Sequence, residues 1–163
     1  MILQKKKNTF IRRIQRFFPN FAIMNISWSE IKPYENELPT NYADRIGRLY
    51  TDTVTAAFKK SNGQFFTPVS IAYFMGRQIS VNKDFISVLD PGCGTAILSC
   101  AVIENLVLQS KVKRIELVTY ETDENLIPGL QKVLEYITMW GMRHNVRIDC
   151  RSYCEDFILS NYS

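Results

Sequence analysis

Histidine and closely spaced cysteines are scarce in this sequence, which argues against a zinc site. His144 is the only histidine, and no Cys-x-x-Cys pair occurs among Cys93, Cys100, Cys150 and Cys154. A structural zinc ion needs four ligands, supplied at tighter spacing than this. We therefore predict no bound metal, and we expect reduced thiols in a cytoplasmic protein in place of disulfides.

Long apolar runs and a strong net charge are also lacking. No run approaches the roughly 20 residues that a membrane-spanning helix needs, so we predict no membrane association. The 163 residues are 46% hydrophobic and 22% charged, which fits one globular domain with its own core. A net charge of +4 is too small to indicate nucleic-acid binding by itself.

The basic residues are nevertheless unevenly distributed. Six of them precede the first acid, Glu30: Lys5, Lys6, Lys7, Arg12, Arg13 and Arg16. This cluster is either the solvated face of a helix or an arm that contacts phosphates. A cleaved targeting segment is a third interpretation, disfavoured because residues 10–21 are too polar for a signal-peptide core.

The most informative segment is Val-Leu-Asp-Pro-Gly-Cys-Gly-Thr-Ala-Ile-Leu at 88–98. An apolar stretch at 85–89 predicts a buried strand, and residues 96–109 predict a helix. Between them, Gly92 and Gly94 would let the backbone approach a ligand closely, in front of the free N–H groups of the helix. Strand, glycine turn and helix together predict a nucleotide-binding α/β unit.

Two familiar phosphate-binding patterns are absent from this turn. No Lys-Ser/Thr pair follows the glycines, which excludes a P-loop, and Ile97 stands where a dinucleotide fingerprint has its third glycine. Asp90 and Pro91 open the turn instead. An acid at this position indicates a cationic or neutral ligand and not a pyrophosphate.

Three further segments complete a recognisable set. They are Gly-Gln-Phe-Phe-Thr-Pro at 63–68, Ile-Glu-Leu-Val-Thr-Tyr-Glu-Thr-Asp at 115–123 and Asp-Phe-Ile-Leu at 156–159. With the 88–98 turn, they make the chain resemble the front half of adenine-N6 DNA methyltransferases of restriction–modification systems. Both type I modification subunits and fused type II enzymes carry such a domain. The resemblance covers residues 62–159 in the expected order.

The resemblance implies that these elements bind S-adenosylmethionine. Asp90 would lie beneath the sulfonium and amino-acid end, Glu121 would accept hydrogen bonds from both ribose hydroxyls, and Asp156 would accept from the adenine amino group. Asp123 is an alternative to Glu121 as the acid that binds the ribose. Asp90 could instead be the N-cap of the helix that follows it. Asp156 and Phe157 could instead be an ordinary loop acid and a core aromatic. The implied cofactor-binding residues are Thr67, Pro68, Asp90, Pro91, Gly92, Cys93, Gly94, Glu121, Thr122, Asp156 and Phe157. Ala96 replaces a glycine common in the family, and we expect a slightly tighter turn with no loss of the site.

The resemblance also implies a catalytic sequence, Asn/Asp-Pro-Pro-Tyr/Phe, that holds a flipped adenine. No Pro-Pro pair occurs in this chain. We therefore expect a cofactor-binding half that is truncated before the catalytic motif and does not transfer a methyl group alone. The complete protein would act on double-stranded DNA with a specificity or restriction subunit or a fused domain. A methyltransferase for RNA or protein, and a non-catalytic S-adenosylmethionine-binding module, remain as alternatives.

The expected fold is α/β, a Rossmann-like methyltransferase half-domain at 62–163 preceded by a helical segment at 1–61. Helices are predicted at 42–60 (capped by Asn41), 69–79, 96–109 and 125–140, and parallel strands at 85–89, 115–120 and 147–150. Thr95 would cap the third helix, and a stripe on the second would face the core: Ile71, Phe74, Met75 and Ile79. The resemblance implies that strand one lies at an edge of these three strands, and we expect the N-terminal segment or a second copy of the chain to cover that edge. A fourth strand at 23–28 is the alternative.

Overall fold

A three-stranded parallel sheet organises the protein. The computed structural model describes residues 26–54 and 66–162. Strands β1 (Phe85–Asp90), β2 (Arg114–Tyr120) and β3 (Arg147–Tyr153) lie in the order β1-β2-β3. Both pairings are parallel, with Val88 beside Leu117 and Leu117 beside Cys150. The predicted α/β class, the parallel pairing and the position of strand one at an edge are confirmed.

Five helices accompany the sheet in the described part of the chain. They are α1 (Pro39–Thr53), α2 (Val69–Gly76), α3 (Ile97–Gln109), α4 (Ile127–Arg143) and α5 (Phe157–Asn161). Helix α3 joins β1 to β2, and α4 joins β2 to β3. Helix α1 packs against both α3 and α4, while α2 packs against α3. The helix that precedes the α/β unit is thus part of the same core.

The two faces of the sheet differ because side chains alternate along each strand. Ile86, Val88, Ile115, Leu117 and Ile148 belong to the core or pack against it. On the opposite face, ion pairs link neighbouring strands: Arg114–Asp149 at 2.9 Å, and Arg151–Glu116. Phe85 and Leu89 of β1 lie on the same face as these ion pairs and are 49% and 52% exposed.

The free edge of β1 has no strand partner within the described residues. Residues 28–30 form a short 3-10 helix (Trp28–Glu30), so the described end of the alternative fourth strand at 23–28 is not extended. Residues 1–25 lie outside the described part of the chain, together with the basic cluster at 5–16. Coverage of this edge therefore stays a prediction.

Helix α1 begins at Pro39 and not at Tyr42, and its N-cap is Leu38 instead of Asn41. Proline is favourable at the first helical position, where its missing N–H has no intrahelical partner anyway. The carboxylate of Glu104 on α3 accepts a hydrogen bond from the Thr40 backbone N at 2.5 Å, so the helix receives its capping group from a distant residue. The predicted end at 60 lies outside the described residues, and the described helix ends at Thr53.

The apolar stripe predicted for α2 does not face the core. Ile71, Phe74, Met75 and Ile79 are 42–64% exposed, whereas Ala72 and Gly76 are buried. A Cβ built on Gly76 would lie 2.7 Å from the carbonyl oxygen of Ala101. Because α2 meets α3 through Ala72 and Gly76, the four side chains of the predicted stripe point away from the contact. The helix also ends at Gly76 and not at Ile79.

The boundaries of α4 and β3 depend on tertiary contacts. Helix α4 starts at Ile127, two residues later than predicted, with Pro128 in its first turn. Gly129 is required there because a Cβ would lie 2.9 Å from the Trp28 ring. Strand β3 extends to Tyr153, whose ring stacks on Tyr120 at 4.9 Å between centroids.

Candidate functional site

The turn after β1 is held in a shape that exposes its backbone. The Cys93 N–H donates to the Tyr120 carbonyl at 3.0 Å, which ties the turn to the end of β2. Gly94 adopts φ +56°, a left-handed conformation in which glycine pays no steric penalty. The ring of Phe66 would lie 3.3 Å from a Cβ at this position. The glycine is thus required both by its backbone angle and by its aromatic neighbour.

The N-cap of α3 is Ala96 and not the predicted Thr95. Ala96 serves as N-cap with φ +59° and no side-chain capping bond, and the buried Thr95 hydroxyl has no hydrogen-bond partner among the described residues. An alanine in the left-handed region costs about 1–2 kcal/mol. Ala96 therefore brings backbone strain into the turn, and the expected tightening of the turn stays a prediction.

Asp90 lies at the carboxyl end of β1 and points toward α3. Its carboxylate accepts a hydrogen bond from the Ser99 hydroxyl at 2.5 Å. Burial raises the pKa of Asp90, and the bond from Ser99 acts in the opposite direction. Since Ala96 is the N-cap, the capping role considered for Asp90 is not found, and the acid is available to the cleft beside it.

Glu121 connects the two loops that flank the cleft. One carboxylate oxygen accepts from the Gly94 N–H at 2.8 Å, and the other accepts from the Asp123 N–H at 2.9 Å. An ionised carboxylate offers about four acceptor sites. Two backbone donors therefore leave capacity for about two more, which matches the two hydroxyls of a ribose.

Asp123, the rival acid, has its carboxylate engaged within the protein. The Tyr50 hydroxyl donates to one oxygen, and the Asn125 backbone N–H donates to the other at 3.0 Å. Asp123 is also only 9% exposed. These contacts favour Glu121 over Asp123 as the acid that meets a ligand.

A cleft of about 610 Å³ opens at the carboxyl ends of β1 and β2. Ligands of open α/β sheets bind at this end of the strands, and the volume lies within the ordinary range for small-molecule sites. Among residues 26–54 and 66–162, four acidic side chains line the cleft and no lysine or arginine does. Seven of the predicted site residues line it: Thr67, Asp90, Gly92, Cys93, Gly94, Glu121 and Thr122.

The other four predicted residues are not part of this lining. Pro68 is the N-cap of α2, and Pro91 lies in the turn that follows β1. Asp156 caps α5 by accepting from the Leu159 N–H at 3.0 Å, and the Phe157 ring packs edge-on against Tyr120 at 5.1 Å. Their contacts with a cofactor stay predictions.

Sequence analysis missed several residues that line the cleft, namely Phe66, Ile97, Leu98, Glu124, Asn125 and Leu126. The last three follow the segment 121–123 directly in the sequence, and this proximity could have identified them. Cys93 lines the cleft as predicted, and burial raises the pKa of its thiol well above the ordinary value. The thiol is therefore protonated and unsuited to nucleophilic chemistry.

Comparison with known proteins agrees with this geometry. The profile of the N-6 DNA methylase family matches residues 42–129, which is more than half of the chain. The chain belongs to the N-6 DNA methylase family. The match begins inside α1 and ends in the first turn of α4, so it includes the glycine turn, Glu121 and the helix in front of them.

Two curated type II methyltransferases are similar to this chain. M.AccI of Acinetobacter calcoaceticus is 31% identical over 90 residues, which are 55% of this chain and 16% of the relative. M.BsuBI of Bacillus subtilis is 33% identical over 101 residues, 61% of this chain and 19% of the relative. The chain thus spans less than a fifth of the length of these relatives.

A solved structure described as a class I S-adenosylmethionine-dependent methyltransferase from Listeria monocytogenes is also similar, with a TM-score of 0.41 and 18% identity. The match covers 82% of this chain and 36% of that one. Within residues 26–54 and 66–162, no helix is long and apolar enough to cross a membrane. The same residues contain no group of three or more potential metal-ligating side chains.

Proposed function

We propose that this chain forms the S-adenosylmethionine-binding part of an adenine-N6 DNA methyltransferase from a restriction–modification system. The observation that carries the proposal is the acidic cleft between β1 and β2 in a member of the N-6 DNA methylase family. Four carboxylates, with no basic residue among the described lining, favour a cofactor that bears net positive charge. S-adenosylmethionine carries a sulfonium, an ammonium and a carboxylate group at one end, with net positive charge, and a ribose and adenine at the other.

The residues of the cleft fit both ends of this cofactor. Glu121 has acceptor sites left for the ribose hydroxyls after binding two backbone N–H groups. Asp90 would face the cationic end, where a carboxylate stabilises the positive charge. Gly94 leaves room for close approach in front of α3, and Phe66 and Thr67 line the same cleft.

When bound, the cofactor supplies an activated methyl group. The chain's own residues bind and orient it: Glu121 fixes the ribose, and Asp90 fixes the charged end. Holding the reacting group in place in this way lowers the entropic part of the barrier to transfer. We propose that double-stranded DNA is the substrate and that its adenine is bound by residues outside this cleft, because the chain contains no Asn/Asp-Pro-Pro-Tyr/Phe sequence.

The organisation of the whole protein is part of the proposal. Residues 62–163 are the cofactor-binding half of the methyltransferase domain, and residues 1–61 are its N-terminal helical segment. The similarity to two type II methyltransferases supports a restriction–modification role. Such a protein acts on chromosomal DNA, so we propose a cytoplasmic location. A specificity or restriction subunit, or a fused domain, would complete it.

Titration calorimetry with two adenosine ligands tests the cofactor assignment. The 163-residue chain should bind S-adenosylmethionine and should not measurably bind ATP, since the acidic cleft repels a triphosphate. ATP is a matched control because it presents the same adenine and ribose. Binding of ATP as tightly as S-adenosylmethionine, or no binding of S-adenosylmethionine, would refute the proposal.

A further inference from the structure

We infer that Tyr50 of α1 is a positioning residue for the cofactor cleft, acting through Asp123 on one wall and Phe66 on the other. This inference rests on the proposed function, since it concerns the same cleft. Tyr50 does not line the cleft itself. It lies in the helix that precedes the α/β unit, so the inference assigns that helix a role in binding.

The first wall is reached through the Tyr50 hydroxyl. Tyr50 is fully buried, and its hydroxyl donates to the Asp123 carboxylate. The backbone N–H of Asp123 in turn donates to Glu121 at 2.9 Å. A short series of hydrogen bonds therefore connects α1 to the acid proposed to bind the ribose. Buried bonds of this kind hold their partners in one geometry.

The second wall is reached through the Tyr50 ring. It packs edge-on against Phe66 with 6.1 Å between ring centroids. Phe66 lines the cleft and also lies against Gly94, where an added Cβ would be 3.3 Å from its ring. Glu121 accepts from Gly94 on this side as well. Tyr50 thus contacts Asp123, one of the two donors to Glu121, and Phe66, which lies against Gly94, the other donor.

A phenylalanine substitution separates the two contacts. Tyr50→Phe keeps the ring against Phe66 but removes the hydroxyl, so the Asp123 loop loses one of its anchors. We expect the affinity for S-adenosylmethionine to fall by roughly tenfold, the effect of losing one hydrogen bond to a charged group. Adenosine, which also carries the ribose, should lose affinity by a similar factor.

Tyr136→Phe is the matched control. Tyr136 is also buried, and its hydroxyl donates to the Glu37 carbonyl, which ties α4 to the segment before α1. It does not line the cleft, and its ring packs edge-on against Tyr42. Both variants lose one buried hydroxyl bond, so both should have lower melting temperatures, but only Tyr50→Phe should bind the cofactor more weakly.

A double-mutant cycle with Asp123→Asn tests the route. If Tyr50 acts through Asp123, the affinity lost in the double variant should be smaller than the sum of the two single losses. Asp123→Asn alone serves if Tyr50→Phe does not fold. It should weaken cofactor binding, and adding Tyr136→Phe to it should leave the affinity unchanged. If Tyr50→Phe binds the cofactor as tightly as the parent, the inference is overturned and the proposed function stays intact. The same holds for Asp123→Asn if it is the only one of the two variants that folds. Additive losses in the cycle would overturn the route through Asp123. A parent that binds no S-adenosylmethionine would overturn both.

Discussion

Replacing Glu121 by alanine should remove the ability of the cleft to distinguish a ribose from its deoxygenated form. In the parent, Glu121 has about two acceptor sites left after its bonds from Gly94 and Asp123. Losing the ribose contacts should cost roughly 1–3 kcal/mol of binding free energy. This corresponds to an affinity lower by about 5- to 150-fold, since 1.4 kcal/mol is a factor of ten.

The assay compares two ligands in titration calorimetry, S-adenosylmethionine and its 2′,3′-dideoxy analogue. The parent should prefer the natural cofactor by the factor above, and Glu121→Ala should bind both ligands with nearly equal affinity. This comparison cancels any general distortion of the cleft, because distortion weakens both ligands alike. Glu124→Ala is the charge-matched control: Glu124 lines the same cleft but is exposed, so the preference should persist. A Glu121→Ala variant that keeps the full preference would show that another group binds the ribose.

Three further predictions concern stability and pH. Gly76→Ala should destabilise the protein by about 1–3 kcal/mol in chemical denaturation, because its Cβ would lie 2.7 Å from the Ala101 carbonyl oxygen. In the control Gly92→Ala, the added Cβ meets nothing within 4 Å and should have little effect, so equal unfolding free energies of the two variants would contradict this prediction. Burial raises the pKa of Glu104 above 4.5, so its contribution to stability is greatest below that value and is lost as the pH rises through the folded-state pKa. Glu104→Gln should therefore gain stability relative to the parent as the pH rises above 4.5, and parallel melting-temperature curves would count against this prediction. Burial also raises the pKa of Asp90, so S-adenosylmethionine should bind more weakly as the pH falls toward that pKa. Asp90→Asn should bind weakly without this pH dependence. If calorimetry gives the variant the same pH profile as the parent, Asp90 does not bind the cationic end.

The sheet and its glycine turn were predictable from the sequence because their signals are local. Apolar runs of strand length, Gly92 and Gly94 in the turn, and the acid at Glu121 are all close together along the chain. The parallel pairing followed from the alternation of strands and helices, whereas the place of strand one at an edge followed from the resemblance to methyltransferases. The residues that line the cleft after Glu121 could have been inferred from the same proximity.

The orientation of α2 could not be predicted in this way. Its hydrophobic pattern offers a large apolar stripe, yet the face that contacts α3 is set by Gly76 and its fit against the Ala101 backbone. That fit depends on a residue 25 positions later in the sequence. Likewise, α1 begins at Pro39, where the carboxylate of Glu104, far along the chain, accepts from the Thr40 N–H. Side-chain periodicity contains no information about either partner.

The contacts of α1 also constrain the order in which this protein can fold. The Thr40–Glu104, Tyr50–Asp123 and Tyr136–Glu37 hydrogen bonds join residues 64, 73 and 99 positions apart. During synthesis, α1 leaves the ribosome well before α3 and α4. Its apolar face therefore stays unpacked until those helices have been synthesised. Contacts between such distant residues slow folding, because the intervening loop must close first. Until α4 is complete, the nascent chain exposes surface to which chaperones or other chains can bind.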